Sequence, residues 1–248
     1  MKFIKMHSLG NDFVITTEVP QDIKQICDRH FGVGCDQLMV VENTQNGIDL
    51  QIFNQDGSVA NMCGNGLRCV AGKYFDENPQ AQNVEINILP KEQKFIVYKQ
   101  ENRLVKIDMG RPKFGNDNLV NVGNLHKIID TKCSGNTILD DIASKAEKTP
   151  HADYNTNYIS VKGDKLFVIT IERGAGETLA CGSGSVASAC FAINNGLTKA
   201  EKIQIINKGS VVNNEQLFVE YSNNGNAYLI GGYNYVFNGY FDILGNKM

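Results

Sequence analysis

Two short stretches set the terms for the whole chain. Ala60–Cys69 reads ANMCGNGLRC and Ala180–Ser185 reads ACGSGS, so a Cys-Gly-small-Gly pattern returns half a chain after its first appearance. A repeat in register is the mark of a duplicated structural unit. Each copy leads into a helical pattern. Behind Cys63, the residues Leu67, Val70, Ala71, Tyr74 and Phe75 recur at helical spacing until Pro79 ends the run. Behind Cys181, SVASACFAINNG (Ser185–Gly196) is apolar nearly all round, the pattern of a helix buried on every side, with Gly196 placed to cap it.

Short β-rich runs flank both motifs. In the first half these are Phe13–Thr17, Asp36–Glu42, Ile48–Asn54, Asn83–Leu89, Lys94–Gln100 and Leu104–Gly110, with a short helix over Gln21–Arg29. In the second they are Leu125–Asp130, Thr156–Val161, Lys165–Arg173, Lys202–Asn207, Glu215–Tyr221 and one long run, Ala227–Phe241. The pattern predicts an α+β fold of two pseudosymmetric domains, each a β-sheet or barrel wrapped around a central helix. The turn-rich stretch GRPKFGNDN (Gly110–Asn118) sets the boundary. Domain 1–115 then carries Cys63 and domain 116–248 carries Cys181, with the final strand free to pack back on the first domain.

A chain of 248 residues, 42% hydrophobic, is long enough for such cores. With 21% charged residues and a net charge of −3, it has no basic footprint for nucleic acid and no basic run for a membrane surface. No apolar stretch approaches the ~18 residues of a membrane span. KMHSLGNDF, close behind Met1, contains no secretory apolar region, so the expected location is the cytoplasm. The seven cysteines are odd in number and include no Cys-x-x-Cys pair, which argues against a disulfide framework and a zinc site. No metal is expected. Cys27, Cys69 and Cys190 fit apolar helical stripes as small core residues. Cys63 and Cys181 differ, because glycines surround them.

Their position suggests chemistry. A free thiol has a pKa of about 8.5, and the N-terminus of a helix stabilises its anion. The same amide groups can hold a carboxylate. Two such thiols meeting one α-carbon from opposite faces could invert it, one removing a proton as thiolate and the other delivering one. The plain alternative is a pair of glycine-capped helices with buried cysteines; the in-register repetition favours chemistry. Neither loop has the Gly-Lys-Ser/Thr of a phosphate-binding loop.

Five stretches, in order, carry a resemblance to a known family: KMHSLGNDF (Lys5–Phe13), DRHFGVGCDQ (Asp28–Gln37), FNQDGS (Phe53–Ser58), NMCGNGLRC (Asn61–Cys69) and ERGAGETLACGSG (Glu172–Gly184). Across essentially its whole length the sequence closely resembles the diaminopimelate epimerases. These isomerases interconvert LL- and meso-diaminopimelate without pyridoxal phosphate, in the biosynthesis of lysine and peptidoglycan precursors. The resemblance implies no cofactor, a small-molecule substrate and a possible homodimer. It implies that Cys63 and Cys181 are the acid–base pair and that Gly64, Asn65, Gly182 and Ser183 hold the reacting α-carboxylate. Asn11 and Gln37 match polar substrate contacts. Asn54, Asn157 and Arg173 match the group reading the distal end. Glu172 matches a residue close to the thiols and the substrate ammonium, and His126 a second group that tunes the thiols. Asn124 matches a substrate contact in a segment where Leu125 replaces the family's usual proline.

Two other readings fit less of the sequence. A proline or hydroxyproline racemase of the same fold has a one-ended substrate, which leaves Arg173 and Asn157 nothing to bind. A non-catalytic amino-acid-binding protein does not account for both cysteines.

Overall fold

The computed structural model describes residues 1–134 and 137–242. The chain divides into two compact units, Met1–Lys99 with the C-terminal stretch from Tyr233, and Gln100–Gly232. The boundary expected after residue 115 therefore falls inside the second unit. The reason is strand pairing, because residues 104–108 hydrogen-bond to residues 228–232. Residues 135, 136 and 243–248, which the expected second domain included, lie outside the described part.

In the first unit, β1 (Lys2–Ser8) and β2 (Asn11–Thr16) form an antiparallel hairpin. Its two-residue turn is Leu9–Gly10, with φ of 56° and 82°. Positive φ at both turn residues matches the right-handed twist of the flanking strands. A short helix α1 (Ile23–Cys27) then crosses to β3 (Gln37–Thr44), which lies parallel to β2. The antiparallel β4 (Gly47–Asn54) follows, with the short β5 (Val59–Ala60) on its end. Helix α2 (Gly64–Glu77) crosses to β6 (Asn83–Leu89), parallel to β4, and β7 (Gln93–Lys99) pairs antiparallel with β6.

The second unit opens with β8 (Leu104–Asp108) and β9 (Lys113–Phe114) and then runs through the same plan. β10 (Leu119–Asn121) and β11 (Leu125–Asp130) form the hairpin. Helix α3 (Ile138–Lys145) crosses to the parallel β12 (Asn155–Lys162). β13 (Lys165–Glu172) is antiparallel, with the short β14 (Gly176–Thr178) on its end. Helix α4 (Gly182–Asn194) crosses to the parallel β15 (Lys202–Ile206). After α5 (Lys208–Asn213), β16 (Leu217–Tyr221) pairs with β15 and β17 (Ala227–Gly232) closes back on β8. β1 to β7 thus correspond one for one to β10 to β16. A final strand, β18 (Asn234–Tyr240), returns to pair with β1.

The central helices explain why the strands wrap. α4 is buried continuously from Gly182 to Ala192 and packs against β10 to β13 and β15 to β17. A helix with no polar face needs apolar cover on every side. α2 buries Leu67, Val70, Ala71 and Phe75 of the stripe read from the sequence, together with Cys69, while Tyr74 is only half-buried, and the helix ends at Glu77 with Asn78 as its cap. Burying Leu67, Val70 and Phe75 contributes roughly 1.5–3 kcal/mol each. One fully buried residue breaks the pattern. Arg68 of α2 donates from Nε and Nη2 to Ser8 Oγ (3.0 and 2.7 Å) and from Nη2 to Asn65 Oδ1 (2.7 Å), tying the end of β1 to the first turn of the helix.

Candidate active site

Both cysteines sit at the same backbone position. Cys63 is the N-cap of α2, with extended φ/ψ of −147° and 104°, and its Sγ accepts from the Gly66 amide at 3.4 Å. Cys181 is the N-cap of α4, with φ/ψ of −114° and 115°, and its Sγ accepts from the Gly184 amide at 3.4 Å. This place is usually held by an oxygen-bearing side chain that satisfies the third amide of the helix. Sulfur here is a weaker cap, yet it brings a thiol to the positive end of the helix. The glycines are required by space. A Cβ on Gly66 would collide with buried Met39, and one on Gly184 would lie 3.0 Å from Asn157 Nδ2 and Thr170 Oγ1.

Around Cys63 the partners are amides. Cys63 Sγ donates to Asn11 Oδ1 at 3.7 Å, and Asn65 Nδ2 donates to the same oxygen at 3.2 Å. The Asn11 amide is oriented from its other end, where Nδ2 donates to Asp36 Oδ2 at 2.7 Å. Asp36 is in turn held by Arg29, whose guanidinium also forms a two-pronged pair with Asp12. Burial opposes charge on Asp12, but Arg29 and Lys5 outweigh it and hold this carboxyl far below the usual range. Gln37 and Asn54 face each other across β3 and β4, and Gln37 Nε2 donates to Asn54 Oδ1 at 2.9 Å. The expected contacts of this half therefore form two groups, one on the thiol and one at the strand ends. Sequence reading assigned no role to Asp36 or Arg29, although both lie in a quoted motif; neither spacing nor residue type singles them out.

Cys181 has a different setting. Its Sγ lies 3.5 Å from Ser183 Oγ, and the Glu172 carboxyl, which accepts from Thr178 Oγ1 at 2.7 Å, is its charged neighbour. Burial, and then the neighbouring Glu172 charge, push the Cys181 thiol well above its ordinary value. Burial likewise raises Glu172. The helix terminus alone predicts a lowered thiol; in this setting desolvation wins, and Cys181 is held as a thiol. His126 is completely buried, with Nε2 3.0 Å from Ser183 Oγ and Nδ1 3.2 Å from Asn157 Oδ1. Burial depresses its pKa to about 4, so the ring is neutral at pH 7.

The remaining expected residues divide. Arg173 is exposed at the end of β13, and its backbone amide donates to Asn155 Oδ1 at 2.8 Å. Asn124 is exposed immediately before β11, whose first residue is Leu125. Asn157 is wholly buried and turned towards His126 and α4, so it does not stand with Arg173. The asparagine that does is Asn155, two residues earlier on the same face of β12. Strand alternation could have offered either. Among the described residues, no three His, Cys, Asp or Glu side chains gather as metal ligands would.

The model of the diaminopimelate epimerase family matches residues 3–115. The diaminopimelate epimerase of Archaeoglobus fulgidus is 32% identical over 96% of this chain and 95% of its own length. That of Caldanaerobacter subterraneus subsp. tengcongensis is 33% identical over 98% of this chain and its own full length. The chain belongs to the diaminopimelate epimerase family. Solved structures show how widely the family's fold extends. A putative phenazine biosynthesis protein from Clostridium difficile superposes with a TM-score of 0.69 at 11% identity, covering 98% of this chain and 100% of that one. A hydroxyproline epimerase from Agrobacterium vitis superposes at 0.62 and 12% identity, covering 99% and 93%. The expected α+β fold, with a sheet around a central helix, is the one this chain adopts.

Proposed function

We propose that the chain interconverts LL- and meso-diaminopimelate by moving the α-proton between the thiols of Cys63 and Cys181, with no cofactor. The observation that carries this reading is the duplicated N-cap: two cysteines, each with its sulfur on the third amide of a glycine-opened helix. The leading amides at Gly64 and Asn65, and at Gly182 and Ser183, suit the reacting α-carboxylate. Holding that carboxylate stabilises the negative charge that develops when the α-proton leaves. One sulfur, as thiolate, takes the proton from one face. The other, as thiol, gives its own proton to the opposite face, so thiol and thiolate have exchanged places when the product leaves. Cys181, kept protonated by burial and Glu172, is the donor in the resting form. The reverse direction begins from the exchanged form.

The distal end of the substrate carries a second carboxylate and ammonium. Arg173 supplies a planar partner for the carboxylate there and Asn54 a polar contact beside it, while Asn11, beside Cys63, and Gln37 and Asn124 supply polar contacts elsewhere along the substrate. A homodimer is supported by β18, which pairs with β1 on one side and exposes Tyr235, Val236, Phe237 and Tyr240. No helix among the described residues is long and apolar enough to cross a membrane, and we place the enzyme in the cytoplasm on its composition.

The test is exchange of the α-proton in heavy water, with LL-diaminopimelate and no added pyridoxal phosphate or metal. Deuterium entering Cα together with formation of the meso isomer is the expected result. Exchange with proline or hydroxyproline but not with diaminopimelate would replace this reading with a racemase of one-ended substrates.

A further inference from the structure

Asn157 has no route to a substrate in this structure, yet its hydrogen bonds determine a chain of proton positions that ends at Cys181. Its Nδ2 lies 2.7 Å from the Gly184 carbonyl oxygen and 2.8 Å from Ser188 Oγ. A carbonyl oxygen can only accept, so the nitrogen of the amide is fixed on that side. The Asn157 oxygen therefore faces His126 Nδ1, at 3.2 Å, and it too can only accept. Nδ1 must carry the hydrogen. In a neutral imidazole, Nε2 is then a bare acceptor, and it lies 3.0 Å from Ser183 Oγ. The Ser183 hydroxyl must direct its proton at His126. What it presents to Cys181 Sγ, 3.5 Å away, is its lone pairs.

We propose that Asn157 is a positioning residue that, by fixing the tautomer of His126, turns the Ser183 hydroxyl away from Cys181 and so favours its thiol over its thiolate. A hydroxyl that can only accept will take a bond from S–H and gives none to S⁻. The effect adds to that of Glu172 on β13, the other titratable group against Cys181; His126, on β11, enters through Ser183 alone. Gly184 links the two ends of the chain, since its carbonyl anchors Asn157 while its amide bonds the Cys181 sulfur. The catalytic consequence rests on the two-thiol reading, but the proton positions do not.

Removing the anchor gives a signed expectation. In Asn157→Leu, His126 is free to carry its hydrogen on Nε2 and donate it to Ser183. The Ser183 proton is then available to Cys181, and the thiolate gains a hydrogen bond. The Cys181 titration should move down by about one pH unit, making alkylation at neutral pH about tenfold faster. The experiment uses the full chain without substrate, reacting it with iodoacetamide across a pH series and following the Cys181 peptide by mass spectrometry. In a Ser183→Ala background, Asn157→Leu should cause no further shift, because the link to sulfur is already gone. Nitrogen-15 NMR of wild-type His126 should show the neutral Nδ1–H form at pH 7, a measurement that needs no variant to fold. An Nε2–H or doubly protonated ring would overturn the proposal. So would an Asn157→Leu profile that matches wild type, or a full further shift in the Ser183→Ala background. A raised KM for diaminopimelate with an unmoved Cys181 profile would make Asn157 a substrate contact instead. Absence of epimerase activity beside a shifted Cys181 profile would remove the proposed function and leave the relay standing.

Discussion

Cys63 and Cys181 each do two jobs that a serine would divide differently. Serine is the better N-cap, so Cys63→Ser and Cys181→Ser should keep or slightly raise stability. As a proton carrier, however, a hydroxyl is poorly matched to neutral pH, and losing a matched acid or base costs 10²–10⁴-fold. Either serine variant should therefore lose at least about a hundredfold in kcat while its thermal unfolding is unchanged or shifted upward. Loss of fold together with activity would mean that the sulfurs act mainly in packing. His126 supplies a pH signature of its own. Its folded pKa of about 4 lies below the ordinary 6.5, so between these values the unfolded chain binds a proton that the folded chain refuses. Stability should fall as the pH drops through that window, by on the order of 3 kcal/mol for this residue. Urea unfolding at pH 7 and pH 4.5 should show a steeper loss in wild type than in His126→Gln.

Among the elements, the first turns of α2 and α4 are the most demanding. Gly184→Ala would place a methyl 3.0 Å from Asn157 Nδ2 and Thr170 Oγ1, with the Cys181 Cβ at 3.2 Å. Overpacking of this kind costs about 1–3 kcal/mol, and here it also pushes on the amide that holds His126. A fall in both melting temperature and turnover is expected; unchanged turnover would show that the turn tolerates the shift. Ser8→Ala removes the hydroxyl that takes two bonds from buried Arg68, which should cost about 1–3 kcal/mol in denaturant unfolding. These two turns were legible in the sequence, as were most long strands, because glycines and apolar periodicity announce them. Other elements were not. β1 hides behind Lys5, a buried lysine held by Asp12 and the Gly34 carbonyl, which breaks the alternation expected of a strand. α5 begins at Asn207-Lys-Gly, which reads as a turn until the reciprocal bonds of Asn207 and Ser210 are seen. The run Ala227–Phe241 is two strands, β17 and β18, that serve different units, and the Gly231-Gly232 pair that ends β17 is the one mark of the break. At the candidate site, the cysteine loops could be read directly. The partition of Asn155 from Asn157 could not, because it depends on depth along one face of β12.

On the scale of the whole molecule, the exposed apolar face of β18 is the surface to probe for self-association. Phe237, 49% exposed, packs edge-on against Phe3 while leaving half of its ring uncovered. Phe237→Glu should convert a dimer to a monomer in sedimentation analysis if a second copy covers this strand, and should leave sedimentation unaltered if it does not.

The path of the chain also sets a timetable. The second unit is one uninterrupted segment, Gln100–Gly232, whereas the first is closed by β18, whose partner β1 is the first strand of the chain. The amino group of Met1 donates to the Phe241 carbonyl at 2.9 Å, so the earliest and latest of these residues are stitched together. On the ribosome, β1 therefore emerges long before its neighbour exists and presents an open edge throughout synthesis of the second unit. The later-made unit can complete itself first, and the earlier-made one must wait, which reverses the usual order in which domains finish folding as they are translated.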